Sequence, residues 1–219
     1  EVDDHEMSGH VTYKSWCRHC ICGRGKSDSH ERLKRDITMD VPVVTMDYCF
    51  LGQENQKRAT PVLVTKDRKS KAIYAHVVPM KGAEHEWVAS RIAKDIEGLG
   101  YDKIILKCDQ EPAIVAVQKR VTEPRDKPTI PENSPVGESQ SNGDAERAIQ
   151  EVEGLVRTAK DALEHKMGTK IPDDHPILTW LVEYAGLTYR LYHVHVDGKT
   201  VYERLKGKPF TKSVAHFGE

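Results

Sequence analysis

Asp47, Asp109 and Glu146 are the side chains of this sequence best suited to chemistry. Asp47 lies inside the apolar run VVTMDYCFL, Asp109 ends KIILKCD, and Glu146 stands in QSNGDAERAIQ. A charge within an apolar strand is costly unless it is paired or bound to a metal. Carboxylates from separate elements supply the hard oxygen ligands that divalent cations such as Mg²⁺ or Mn²⁺ take. A pair of such cations clamps the attacking and leaving oxygens of a phosphoryl transfer. The expected chemistry is the cutting and joining of nucleic acid. The intervals are 62 residues (109 − 47) and then 37 (146 − 109). Each acid alone has a plainer reading. Asp109 would cap the helix after it, Glu146 would complement a helix dipole, and Asp47 would lie exposed on a mixed strand face.

A second constellation is His5, His10, Cys17 and Cys20. Imidazole and thiolate are the ligands of closed tetrahedral Zn²⁺ sites, and the two cysteines stand at C-x-x-C spacing. Cys22, His19 and His30 are spare donors. The plain alternative is surface thiols among scattered histidines. Five cysteines crowded in this way do not describe a secreted disulfide framework; they describe a reducing compartment, and the protein is not expected to be secreted.

These sites need elements to position them. The 219 residues suffice for one sizeable core and a small satellite. No apolar run reaches the length of a membrane span, and no signal peptide is visible in the acidic opening EVDDHEMSGH. The chain lacks an initial Met and stops in SVAHFGE, which reads as a strand beginning; a piece of a longer polypeptide is expected. The net charge of −1 is unusual for a polyanion binder, but the basic residues are clustered. Lys14, Arg18, Arg24, Lys26, Arg32, Lys34 and Arg35 stand against Asp28 and Glu31, and residues 199–212 are again basic. Such clusters flanking an acidic centre would steer a polyanion; a solvated loop is the equal alternative.

Residues 1–38 lack apolar periodicity and read as the His/Cys module with a basic linker. Residues 39–195 read as the core. Strands are expected over 41–51, from Pro61 and from Lys71, joined as a meander. A helix from Glu84 carries Val88, Ile92, Ile96 and Leu99 on one stripe. A buried strand starts at Lys103, a helix with Pro112 in its first turn begins after Glu111, and a short strand lies near 128–130. A proline-rich loop leads to a long helix from about 142–144 to Lys166, and another helix starts at Pro176. Residues 196–219 read as a basic, turn-rich extension leading into a further domain. The architecture expected is α/β: a mixed five-stranded sheet flanked by helices. Its catalytic acids can meet if the first and fourth strands are neighbours. Trp87, Trp180, Tyr184 and Tyr192 are expected in the core, Trp16 packs the small module, and His76 is a satisfied side chain.

The phrases VVTMDYCFL, LKCDQEPAI and NSPVGESQSNGDAERAIQEVEG together resemble the catalytic core of retroelement integrases of the copia-like and gypsy-like kind. The resemblance covers about residues 40–205, including TVYERL. It implies the ribonuclease-H-like fold and assigns Asp47, Asp109 and Glu146 to a triad holding two Mg²⁺ (or Mn²⁺) ions. The interval from Asp109 to Glu146 is one residue longer than usual, in a loop where insertion is tolerated. The family's N-terminal His-His-Cys-Cys zinc module matches the four ligands above in type, although the interval from His10 to Cys17 is much shorter than usual.

The resemblance further implies DNA 3′-end processing and strand transfer on element ends and target DNA. It also implies a homo-oligomer, a place in a retroelement polyprotein and a nuclear location. Asn142 would shape the start of the long helix, with Asn142, Arg147, Gln150, Arg24 and Lys26 on nucleic acid. Two alternatives stay open: an inactive or domesticated nucleic-acid binder of the same fold, and a metal-dependent nuclease. Zinc is expected to co-purify with the chain and to be lost in Cys17→Ser, which metal analysis of both proteins checks.

Overall fold

The computed structural model describes residues 2, 14–18, 41–51, 60–135, 142–212, 214 and 217. The chain divides into two units, Glu1–Asp40 and Val41–Glu219. In the first, Cys17 is buried and its amide donates to the Lys14 carbonyl at 3.1 Å, closing a turn beneath the half-exposed Trp16. His5, His10, Cys20, Arg24 and Lys26 lie outside the described residues.

The second unit is built on five strands: β1 (Val43–Leu51), β2 (Thr60–Asp67), β3 (Ile73–Val77), β4 (Ile104–Cys108) and β5 (Thr129–Asn133). Their order across the sheet is β3-β2-β1-β4-β5. β1 to β3 form the expected antiparallel meander, and β1–β4 and β4–β5 are parallel. The mixed sheet is therefore as the apolar patterning required. β5 is an edge strand, which is why it tolerates Pro131 and is largely exposed.

Among the described residues five helices accompany the sheet: α1 (Glu86–Gly98), α2 (Pro112–Thr122), α3 (Gly143–Met167), α4 (Ile177–Tyr192) and α5 (Val201–Lys206). α1 and α2 pack together, with α2 on β4, β5 and β1. α3 and α4 pack together, α3 on β1 and β2 and α4 on β3. With helices on it, the face of β1 that looked mixed in the sequence is covered: Thr45 is fully buried, as is Met46 on the opposite face. α4 approaches β3 closely at Gly186, where a Cβ would meet the Ala75 amide nitrogen at 3.5 Å and the Ile73 carbonyl oxygen at 3.6 Å. One turn on, the Arg190 guanidinium donates to that same Ile73 carbonyl at 2.7 Å. Among the described residues no helix is long and apolar enough to cross a membrane.

Three aromatic expectations are corrected. Trp87, Trp180 and Tyr192 are exposed at 49%, 70% and 49%. Helical spacing is necessary for burial but not sufficient. The stripe of α1 that faces inward is Val88, Ala89, Ile92, Ala93 and Ile96, and Trp87 precedes it by one residue, about 100° around the axis. Tyr184 is half-buried against Phe217, with ring centroids 5.1 Å apart. His76 is satisfied: buried, with Nε2 2.6 Å from Asp95 Oδ2 and Nδ1 3.4 Å from Glu183 Oε1. The basic tail contains α5, whose first turn is a capping box of Thr200 and Glu203, and Val201 is buried in the core.

Leu106, fully buried on β4, is expected to cost about 2–5 kcal/mol when replaced by Ala. A urea titration would show this as a lower midpoint with an unchanged slope.

Candidate active site

Parallel pairing of β1 and β4 decides where the two aspartates go. The register matches Val43 with Ile105, Val44 with Leu106 and Thr45 with Lys107. The offset is 62 in each pair (105 − 43), and Asp47 and Asp109 share it (109 − 47). Continued by two residues, the register sets Asp109 beside Asp47 at the carboxyl end of β4. Opposed residues of neighbouring strands point to the same face. The electrostatics agree, because the charge of Asp109 reaches the Asp47 carboxyl and raises its pKa.

Asp47 faces α3. Its Oδ2 accepts from Asn142 Nδ2 at 3.2 Å, and its Oδ1 accepts from the Tyr48 amide at 2.7 Å. Burial, the repulsion of Asp109 and the more distant Glu111 together outweigh these two bonds, and the carboxyl is pushed up to about 6. Asp67 provides the contrast. It is more deeply buried, yet the Lys69 and Ser70 amides and the Ser70 and Tyr101 hydroxyls all donate to it. Asp67 is a completed structural carboxylate, whereas Asp47 is half-buried with two donors and a like charge beside it.

Asn142 is the residue through which the long helix meets the strands. Asn at a helix N-cap ordinarily bonds its own first-turn amides. Here the side chain makes no cap bond and reaches Asp47 instead. Its Oδ1 is buried and has no partner among the described residues. The Ser134 hydroxyl is likewise buried and without a partner among those residues. Ser134 comes directly after β5, and its amide donates to the Cys108 carbonyl, one residue before Asp109.

Glu146 lies one turn beyond Asn142 on the same stripe of α3, because residues four apart share a helix face. Farther along that stripe, Glu153 is close enough to Cys49 to raise the thiol's pKa. The stripe therefore runs beside the Asp47–Cys49 face of β1. The Glu146 side chain is exposed. Among the described residues no three His, Cys, Asp or Glu side chains are gathered so as to hold a metal ion. Asp47 and Asp109 are brought together, and Glu146 is brought alongside rather than into contact. Like charges resist closer crowding unless cations stand among them.

Elsewhere in the first turn of α3, Asp144 pairs with Arg68. Arg147 approaches Lys66, whose ammonium burial already holds below its ordinary range. Gln150, one turn past Glu146, is exposed. Asp109 also does part of what its plain reading predicts, since its Oδ1 accepts from the Glu111 amide at 3.1 Å ahead of α2. Glu111 and Lys81, which bond each other beside this turn, carried no site assignment in the sequence. Glu111 is the last letter of D-x-E, but nothing local marks Lys81.

The donors fit a hard divalent cation: two adjacent carboxylates and an unbonded amide oxygen, all oxygen and none of them sulfur or imidazole. Cys49 and Cys108 stand nearby, but burial pushes both thiols up to about 12, so neither offers a thiolate. An apolar recess of about 500 Å³ lies elsewhere, between α3 and α4 around Leu155, Leu163, Tyr184 and Phe217. Leu155 is about 20 Å along the helix axis from Asn142.

No protein-family model matches the sequence, and no curated protein matches it in sequence. Solved structures do match. The catalytic core of bovine immunodeficiency virus (BIV) integrase aligns at 18% identity and a TM-score of 0.51, over 74% of this chain and 92% of that one. The HTLV-2 integrase catalytic core in complex with magnesium, in its trimeric form, aligns at 16% and 0.53, over 74% and 95%. The intasome of simian T-cell lymphotropic virus, in complex with a PP2A regulatory subunit, aligns at 15% and 0.58, over 96% and 69%. This chain has the fold of a retroviral integrase catalytic core. Within that integrase-like fold, Asp47 and Asp109 occupy adjacent central strands and Glu146 the helix laid across them.

The raised pKa of Asp47 has a consequence for stability. The folded state holds a proton on Asp47 up to about pH 6, while the unfolded chain releases it near its ordinary 3.8. The folded state therefore binds more protons across that window, and stability falls as pH rises through it. Asp47→Asn removes the effect. The variant is expected to be more stable than wild type at pH 7 by about 1–2 kcal/mol after solvent screening, with no difference below about pH 4. Denaturant titrations at the two pH values decide it.

Proposed function

We propose that the chain is a retroelement integrase, a polynucleotidyl transferase that processes and joins DNA ends. The observation that carries the reading is the meeting of Asp47, Asp109 and Asn142. A strand carboxylate that burial disfavours stands beside a second carboxylate and is held by an amide from a helix that brings a third.

Asp47 would contribute to both of a pair of Mg²⁺ or Mn²⁺ ions, Asp109 to one and Glu146 to the other. When bound, such ions stabilise the attacking and leaving oxygens of an in-line phosphoryl transfer. The chain's own residues do the positioning. Asn142 orients Asp47 and ties the start of α3 to β1, so that Glu146 can turn toward the aspartates. Arg147, with Lys66 near it, would meet the phosphate backbone from the β2 side, and Gln150 would come next along the Glu146 stripe. No covalent enzyme intermediate is required, because the nucleophile is water in end processing and a DNA 3′-hydroxyl in joining.

Magnesium in the HTLV-2 core supports the choice of metal. The dimeric and trimeric HTLV-2 forms and the simian intasome support DNA and a homo-oligomer as partners. The copia-like or gypsy-like origin, the polyprotein setting, the nuclear location and the zinc module with His5, His10, Cys17 and Cys20 rest on the sequence resemblance. So do DNA contacts by Arg24 and Lys26.

A strand-transfer assay with labelled DNA ends and Mg²⁺ or Mn²⁺ separates the readings. Joined product is expected. Cut product alone would make the chain a nuclease, and binding alone a non-catalytic relative. Asp47→Asn, Asp109→Asn and Glu146→Gln are each expected to take joining below detection while circular dichroism stays unchanged. Mg²⁺ should raise the melting temperature of wild type but not of Asp47→Asn. Joining retained in any of the three variants would rule out the triad.

A further inference from the structure

We infer that Lys81 is a positioning residue for the Asp109 turn, acting through Glu111. This inference rests on the metal-site reading of Asp47 and Asp109.

Lys81 stands on the loop between β3 and α1 and reaches the first turn of α2. Its Nζ donates to both Glu111 carboxylate oxygens at 2.9 Å. The same ammonium lies 5.2 Å from the Tyr48 ring centroid and 5.0 Å from that of Phe50. Both rings belong to β1, on the face opposite Asp47. A cation attracted at once by a carboxylate and two aromatic rings is restrained more tightly than by the carboxylate alone. The loop is pinned separately, because the Gly82 amide donates to the Tyr48 hydroxyl at 3.1 Å. Gly82 has φ +107, a conformation open to glycine and strained for other residues.

Glu111 sits oddly for an N-cap residue. It makes no side-chain cap on its own helix, and Pro112 after it confines it to extended backbone, φ −60 and ψ 125. Its amide is the donor to Asp109 Oδ1 at 3.1 Å. Fixing the Glu111 side chain therefore fixes the amide that orients Asp109. It also holds a further carboxylate, whose charge already reaches Asp47, to one side of the two aspartates. Lys81, Tyr48, Phe50 and Glu111 thus tie β1, the β3–α1 loop and the β4–α2 turn together beside the site. Lys81 does this without touching either aspartate.

The test compares wild type with Lys81→Met, Lys81→Arg, Glu111→Gln and the Lys81→Met/Glu111→Gln double variant. Two quantities are read: amide hydrogen exchange at position 111 without metal, and kcat and KM for DNA in strand transfer. Lys81→Met is expected to speed exchange at position 111 about tenfold and lower kcat about tenfold at unchanged KM. Arg can bond both carboxylate oxygens and stack on the rings, so Lys81→Arg should keep both values near wild type. The double variant should be no worse than Lys81→Met, because both single changes break one contact. Unchanged exchange at position 111 in Lys81→Met overturns the proposal. So does a rise in KM with kcat kept, which would make Lys81 a DNA contact. If Lys81→Met fails to fold, Glu111→Gln carries the same expectations. If wild type neither joins DNA nor binds Mn²⁺, the functional reading fails, and the exchange measurement alone decides whether Lys81 holds the turn.

Discussion

The parallel pairing of β1 with β4 is the constraint on which the site depends. These strands lie at positions three and four of the sheet order β3-β2-β1-β4-β5, flanked on both sides by other strands. A parallel pair brings two carboxyl ends to the same edge of a sheet, where ligands gather in open α/β folds. The register offset then fixes which residues meet. It is 62, so the two aspartates, 62 residues apart, are opposed. A slip of one residue would turn every β4 side chain to the other face, burying Asp109 or moving it away from Asp47. Buried Ile104, Leu106 and Cys108 on one face hold the register. The apolar core thus specifies the position of the charges.

Placing the charges there has an energetic cost that other acids in the chain avoid. Asp67 is more buried than Asp47 but collects donors from its own hairpin and from Tyr101. Asp47 has the neighbouring amide and one side chain from 95 residues away. An amide donor cannot neutralise a carboxylate in the way a cation can, so Asp47 stays poised to bind one. Asn142 gives up the capping role that its type and position favour in order to reach it. Local rules broken at one place, with satisfied neighbours around it, are the pattern expected where function outweighs stability.

Much of this was legible in the sequence, for a physical reason. Apolar alternation and helical stripes report burial, and burial is what builds the sheet and its helices. The three strands of the meander, the buried strand before Asp109 and the long helix from Asn142 were all readable on that ground. The features that were not legible depend on partners far apart in the chain. Nothing near Lys81 shows that its ammonium meets Glu111 and two rings of β1, and nothing near Asn142 shows which acceptor it takes. Trp87 and Trp180 misled because aromatic size suggested burial, whereas the angular position on each helix decides it. The helix at Val201–Lys206 was signalled by T-V-Y-E, a capping-box pattern, but its lysines and arginines drew attention to charge instead.

Two integrase cores and an intasome align with this chain at 15–18% identity, and likeness at that level speaks for the fold alone. One fold hosts many activities, so the chemistry must be argued from the side chains. A nucleic-acid strand is long and already folded or paired, and it cannot be swallowed by a closed pocket. Its phosphates must be met at an open edge. The site sits at such an edge, at the carboxyl end of β4 and against the middle of β1, beside the start of α3. The roomy apolar recess between α3 and α4 is lined mainly by Leu, Ala, Tyr and Phe, with two threonines and one lysine, and has no carboxylate to hold a metal. An enzyme for a small apolar ligand would place its chemistry in that recess. An enzyme for a polyanion has reason to place it at the shallow edge, where burial is enough to raise Asp47 and exposure is enough to admit a backbone. Half-buried aspartates at an open edge are what the proposed polyanion substrate requires.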